Sequence, residues 1–138
     1  MKVAVSTNLT REFIPEWNGN RELSEVEQIK FYYKAPAISI KADLSPMKCD
    51  LVPSKYKYDE KRNPLMEQKM TYVLDRTKII NKLVTGIVGL SIEADGKEVQ
   101  IKTASQLLSA GVELDELVSE LFAHLQSVLN NKVVDEKN

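Results

Sequence analysis

Two side chains stand out as possible chemical groups: His124 and Cys49, the only histidine and the only cysteine in 138 residues. A metal site needs further ligands, but no second histidine exists and Cys49 is distant in sequence. By helical spacing His124 lies roughly 20° outside an apolar arc, where a boundary histidine with no special role is expected. Lys48 beside Cys49 would favour a thiolate. Yet a cysteine nucleophile also needs a histidine base and an oxyanion site, and nothing local marks either. A small buried apolar residue is the plainer reading of Cys49. Glu113, Asp115, Glu116 and Glu120 cluster near a helix start, where carboxylates complement the dipole, and their spacing is not that of a calcium loop. Gly86 and Gly89 lack both a Walker lysine and a dinucleotide fingerprint. No constellation for catalysis emerges, so the expectation is a protein that is not an enzyme and takes no cofactor or metal.

The segment Lys48–Arg62 interleaves lysines with Tyr56 and Tyr58, as nucleic-acid binders do. Lys48, Lys55, Lys57, Lys61 and Arg62 oppose only Asp50, Asp59 and Glu60. The whole chain nevertheless carries a formal net charge of −1, and phosphate contacts call for a clear basic excess, so nucleic-acid binding is not the expected role. Hydrophobic residues at 43 % and charged residues at 28 % fit a soluble globular protein. A lone cysteine excludes an internal disulfide and fits a reducing compartment. No leader-like apolar core follows Met1, and no run approaches the ~18 apolar residues of a membrane span. A cytosolic protein with no membrane role is the default.

The elements that would position these groups give an α+β domain: a β-rich N-terminal part, a long central helix, a β-hairpin and C-terminal amphipathic helices. One domain spans 1–138, with possible lobes at 1–60 and 61–138. Val3 and Val5 alternate in KVAVS, and REFIP precedes the turn-like cluster Trp17–Asn20. Val26–Ala35 is the clearest strand, with Ile29, Phe31 and Tyr33 on one side and Lys30, Tyr32 and Lys34 on the other. Pro36 ends it. Ile38, Ile40 and Ala42 alternate as a further strand, Pro46 and Pro53 bracket a loop around Cys49, and residues 54–62 read as an exposed connection.

Asn63 and Pro64 then look like an N-cap and first helical residue. In the helix that would follow, Met66, Met70, Val73, Ile80 and Val84 form one stripe; Tyr72, Ile79 and Leu83 form another, until Gly86 or Gly89 ends it. Such a helix suits a sandwich between two layers. Leu90 to Lys102 reads as a hairpin about Asp95-Gly96. Thr103–Gln106 matches a capping box opening a short helix with Leu107 and Leu108, which Gly111 closes. In Val112–Asn131, Leu114, Leu117, Leu121, Leu125 and Val128 recur at helical spacing, widened by Val118, Phe122 and Leu129 to an arc of roughly 140°. Val133–Asn138 is expected to fray.

Apolar faces are therefore the main candidates for function, either as ordinary core or as a docking or oligomer surface. The residues singled out for partner binding are Leu114, Leu117, Leu121, Phe122, Leu125, Tyr72, Ile79 and Leu83. Met66 and Met70 would suit an adaptable surface, because methionine repacks easily. On this reading, polar substitution of Leu117, Leu121 and Leu125 abolishes partner binding and leaves a folded domain.

In its back half the chain resembles the tail assembly chaperones of tailed bacteriophages. The likeness rests on a helix running into VTGIVGLSIEADGKEVQI, then TASQLL, then LDELVSELFAHLQSVL, with the chain stopping at DEKN; it spans about residues 65–138. EFIPEWNGN and VEQIKFYYKAP in the front half also have a phage-like look. The resemblance implies a non-enzymatic role in the bacterial host cytoplasm. Such proteins coat the long, helical tape measure protein and recruit tail tube subunits to it. They commonly also exist as a longer frameshifted product, and are generally absent from finished virions. A homo-oligomer is compatible with it. The alternatives are a structural virion component, such as a tail completion or neck subunit, and a nucleic-acid-binding regulator using Lys48–Arg62.

Overall fold

A computed structural model describes residues 1–4, 10–44 and 47–130, and in it the alternation read from Ile29 to Lys34 takes its expected form. Strand β2 (Lys30–Lys34) buries Phe31 and Tyr33. It is shorter than the reading from Val26, which is fully exposed ahead of it. On one side it pairs antiparallel with β1 (Thr10–Phe13), placing Phe13 opposite Phe31. On the other it pairs antiparallel with β5 (Val84–Val88), where a bulge gives β5 one extra residue at Thr85. Thr85 Oγ1 donates to the Tyr32 carbonyl at 3.2 Å beside that irregularity. The order β1-β2-β5 makes a three-stranded sheet.

The inward side of this sheet is covered by helices α2 (Arg76–Leu83), α3 (Ala104–Leu108) and α4 (Asp115–Leu129). α2 starts where the Asp75 carboxylate accepts from the Lys78 amide at 3.0 Å, and it turns Ile79, Ile80 and Leu83 inward. α3 opens with the expected capping box: Thr103 Oγ1 accepts from the Gln106 amide, and the Gln106 side chain accepts from the Thr103 amide. A 3-10 turn, Val112–Leu114, then leads into α4. The Arg76 guanidinium reaches Asp115 at 3.1 Å and Ser119 at 3.2 Å, tying α2 to α4 at the surface.

The Asp-Gly hairpin also forms, with β6 (Ser91–Ala94) paired to β7 (Lys97–Gln100). Asp95 and Gly96 both take positive φ, 53° and 75°, as a tight twisted turn requires. Gly89 (φ 76°) permits a close approach: any Cβ there would strike the Gln28 carbonyl, so only glycine fits.

The architecture is thus mixed α and β with antiparallel strands. Its middle differs from the sequence reading. Instead of one long helix from Pro64, there is a strand, β4 (Pro64–Tyr72), followed by the two-turn α2 and then β5. Asn63 belongs to a turn, and Pro64 begins a strand, a position where a missing N–H is tolerated. The loop expected around Cys49 and the connection over 54–62 are mostly one long strand, β3 (Met47–Tyr58), paired antiparallel with β4. Conversely, the strand expected at Ile38–Ala42 is a short helix, α1 (Ile38–Asp43). Helical spacing explains the change: Ile40 packs on the core, and Leu44, one turn later, is buried, whereas Ile38 is exposed. Residues 1–4 form no strand; Val5, Pro46 and the tail Val133–Asn138 lie outside the described residues.

Candidate partner-binding surface

The residues expected to bind a partner fall almost entirely inside the molecule. Leu117, Leu121 and Leu125 are completely buried, and Leu114, Ile79 and Leu83 nearly so. Phe122 is partly buried against the same cluster. These positions close the core because the sheet needs a cover. Phe31, Tyr33, Phe13 and Ile87 present an apolar face, and α2 and α4 are the amphipathic elements that remove it from water. The expectation of a docking face on this stripe is corrected: it is core. Tyr72 alone of the eight is well exposed, and it lies on an element the periodicity misassigned.

That element is the ribbon formed by β3 and β4. Its register is continuous from Met47↔Tyr72 through Cys49↔Met70 and Leu51↔Gln68 to Pro53↔Met66. Directly opposed residues of an antiparallel pair point to one side, as do alternate residues along each strand. One side therefore carries Met47, Cys49, Leu51 and Pro53 beside Met66, Gln68, Met70 and Tyr72. No charge lies among them. The other side includes Asp50, Val52, Glu67, Lys69 and Thr71. The ribbon is amphipathic, yet its apolar side is open to solvent: Leu51 is 66 % exposed, Met66 57 %, Met70 59 % and Tyr72 61 %. No residue of β3 or β4 belongs to the hydrophobic core.

Local hydrogen bonds shape the far end. A bulge between Pro53 and Tyr58 breaks the register, and within it the buried Ser54 hydroxyl accepts from the Tyr56 and Lys57 amides at 3.2 and 3.0 Å. In the turn, Asp59 accepts from the Lys61 and Asn63 amides at 2.9 and 2.8 Å. Arg62 takes a positive φ of 63°. Lys55, Lys57, Lys61 and Arg62 surround this tip with Tyr56 and Tyr58, all exposed. The interleaved segment is thus gathered at one end of the ribbon, apart from Lys48, whose side chain lies outside the described residues.

The other candidate groups are placed elsewhere. His124 is buried on α4, with Nε2 2.9 Å from the Tyr33 hydroxyl. Its ring stacks on Phe13 at a centroid distance of 4.1 Å. Instead of sitting at a boundary, it pins the C-terminal helix to two strands. Cys49 is exposed, not buried. Among the described residues, no group of three or more histidine, cysteine, aspartate or glutamate side chains could hold a metal ion. Of the acidic cluster, Asp115 pairs with Arg76, and Glu120 accepts from the Glu16 and Trp17 amides at 2.7 and 3.0 Å, capping the 3-10 segment Trp17–Glu22. No described helix is long and apolar enough to cross a membrane.

Periodicity along single segments missed the ribbon face, although its signal is present. Residues 47, 49, 51 and 53 alternate, as do 66, 68, 70 and 72, and only their pairing reveals a shared surface. No protein-family model, curated protein or solved structure matches this chain.

Proposed function

We propose that the chain is a non-enzymatic protein-holding factor, of the tail assembly chaperone kind that its back half resembles, and that it holds its partner on the apolar side of the β3–β4 ribbon. A single observation carries this reading: an uncharged, methionine-bearing strip lies exposed on an element outside the core. Exposed apolar patches of more than a few hundred Å² on soluble proteins commonly mark interaction sites. An apolar two-stranded face suits an amphipathic helix, the standard cover for a sheet. Methionine side chains repack against differing surfaces, which suits a factor engaging many sites along a long helical protein. Weak contacts repeated along such a partner give strong but reversible coating. In that role the protein acts in the host cytoplasm on the tape measure protein and brings tail tube subunits to it.

The test is binding of helical peptides tiled along the tape measure protein of the same genome. Leu51→Glu with Met70→Glu should weaken binding at least tenfold with the circular dichroism spectrum unchanged. Undiminished binding by that variant would remove the ribbon from the function. A tail completion or neck subunit would use the same strip for permanent contacts. Mass spectrometry of purified virions separates the two, because only the structural subunit should be present in them.

A further inference from the structure

We infer that, in the absence of its partner, the apolar strip of the ribbon closes against the same strip of a second copy, giving a two-fold dimer in which each chain covers the other. The inference rests on reading that strip as a protein-binding surface and adds its resting state. Leu51, Met66, Met70 and Tyr72 are each more than half exposed, with Met47 beside them at 48 %. Together with Cys49 and Pro53 they present roughly 600 Å² in one continuous band, at the upper end of what monomers usually leave open. Two such bands meeting in full would bury at most roughly 1,200 Å², which reaches the lower bound for a specific, stable interface. An area at that lower bound fits a weak, concentration-dependent dimer that a competing partner can displace.

The chemistry of the strip is also compatible with its own copy. A two-fold contact sets one patch against itself, so a charge near its axis would meet its own copy, and one away from the axis would be buried against the strip's uncharged residues. The strip has none, whereas the opposite side carries Asp50, Glu67 and Lys69. Its one strongly polar side chain, Gln68, holds both donor and acceptor in one amide and can satisfy a second Gln68 without a new residue type. The methionines accommodate imperfect fit between identical surfaces. A contact made through this face leaves the core unchanged, because no residue of the ribbon contributes to it.

Sedimentation equilibrium of the full chain over a micromolar to millimolar range reads the inference directly. The expected result is a concentration-dependent doubling of mass that is lost in Leu51→Glu/Met70→Glu and retained in Glu67→Gln on the opposite side. Should the double variant lose its circular dichroism spectrum, Gln68→Lys serves instead, since two lysines at the centre of the contact should weaken dimerisation at least tenfold. A wild-type chain that stays monomeric at millimolar concentration overturns the inference. So does a dimer that survives these substitutions with the spectrum intact. Binding of the tape measure peptides, measured on the same samples, keeps the two claims apart. A monomer whose peptide binding still depends on Leu51 and Met70 removes the dimer alone; a strip-dependent dimer that binds no peptide removes the chaperone reading alone.

Discussion

The body of this molecule and its ribbon use the same apolar residue types to opposite ends. In the body, Leu117, Leu121 and Leu125 of α4, Ile80 and Leu83 of α2 and Phe31 of β2 are enclosed in one cluster drawn from sheet and helices. In the ribbon, Leu51, Met66 and Met70 have a comparable apolar character, but each is more than half exposed to water beside its cross-strand partner. A two-stranded ribbon lacking a cover is marginal as an independent fold. Hydrophobicity alone does not separate the core from the exposed strip here. What separates them is a second layer, which among the described residues lies over the three-stranded sheet and not over the ribbon.

Substitutions in the two regions test this contrast. The largest effect is expected at Leu121, where truncation to alanine leaves a cavity amid fully buried neighbours and should cost about 2–5 kcal/mol in urea denaturation. Next comes Asn20, buried beside β2. Its Nδ2 donates to the Pro15 and Ile29 carbonyls at 2.9 and 3.0 Å, and its Oδ1 accepts from the Ile29 amide at 2.7 Å. Asn20→Ala removes three buried bonds and should cost about 1–3 kcal/mol by the same measurement. His124→Phe keeps a ring over Phe13 but loses the bond to Tyr33, for about 1 kcal/mol, and His124→Ala should cost more because the stacking is lost as well. Leu51→Ser on the ribbon should change stability by less than about 0.5 kcal/mol. A loss at Leu51 comparable to that at Leu121 would mean that the strip is structural, and the contrast would fail.

The sequence made the body legible and the ribbon nearly invisible, for physical reasons. The alternation through Ile29, Phe31 and Tyr33, the Asp95-Gly96 turn, the Thr103–Gln106 box and the stripe of α4 are signals written over a few neighbouring residues. Met66 and Met70 were ambiguous because a spacing of four satisfies both a helical turn and two steps of a strand. β4 also holds just one β-branched residue, Thr71, so propensity favoured helix. The pairing with Met47–Pro53, which overrides it, depends on residues far away in sequence. α1 erred in the opposite sense: Ile38 and Ile40 alternate, but the packing uses Ile40 and Leu44. The side-chain stitches were beyond any pattern. Asn20 and Glu120 are unremarkable as letters and His124 is marked only as the lone histidine; each acquires its role when Ile29, Trp17 or Tyr33 is brought within hydrogen-bond distance.

The central claim is that protein is held on the ribbon and not on the C-terminal helix. Methionine-methyl NMR tests it most directly, since three of the four methionines, Met47, Met66 and Met70, lie on the strip and Met1 does not. On titration with a tape measure peptide, the three strip methyls should shift together while Met1 stays in place. Saturable binding that leaves those three signals unmoved would contradict the account.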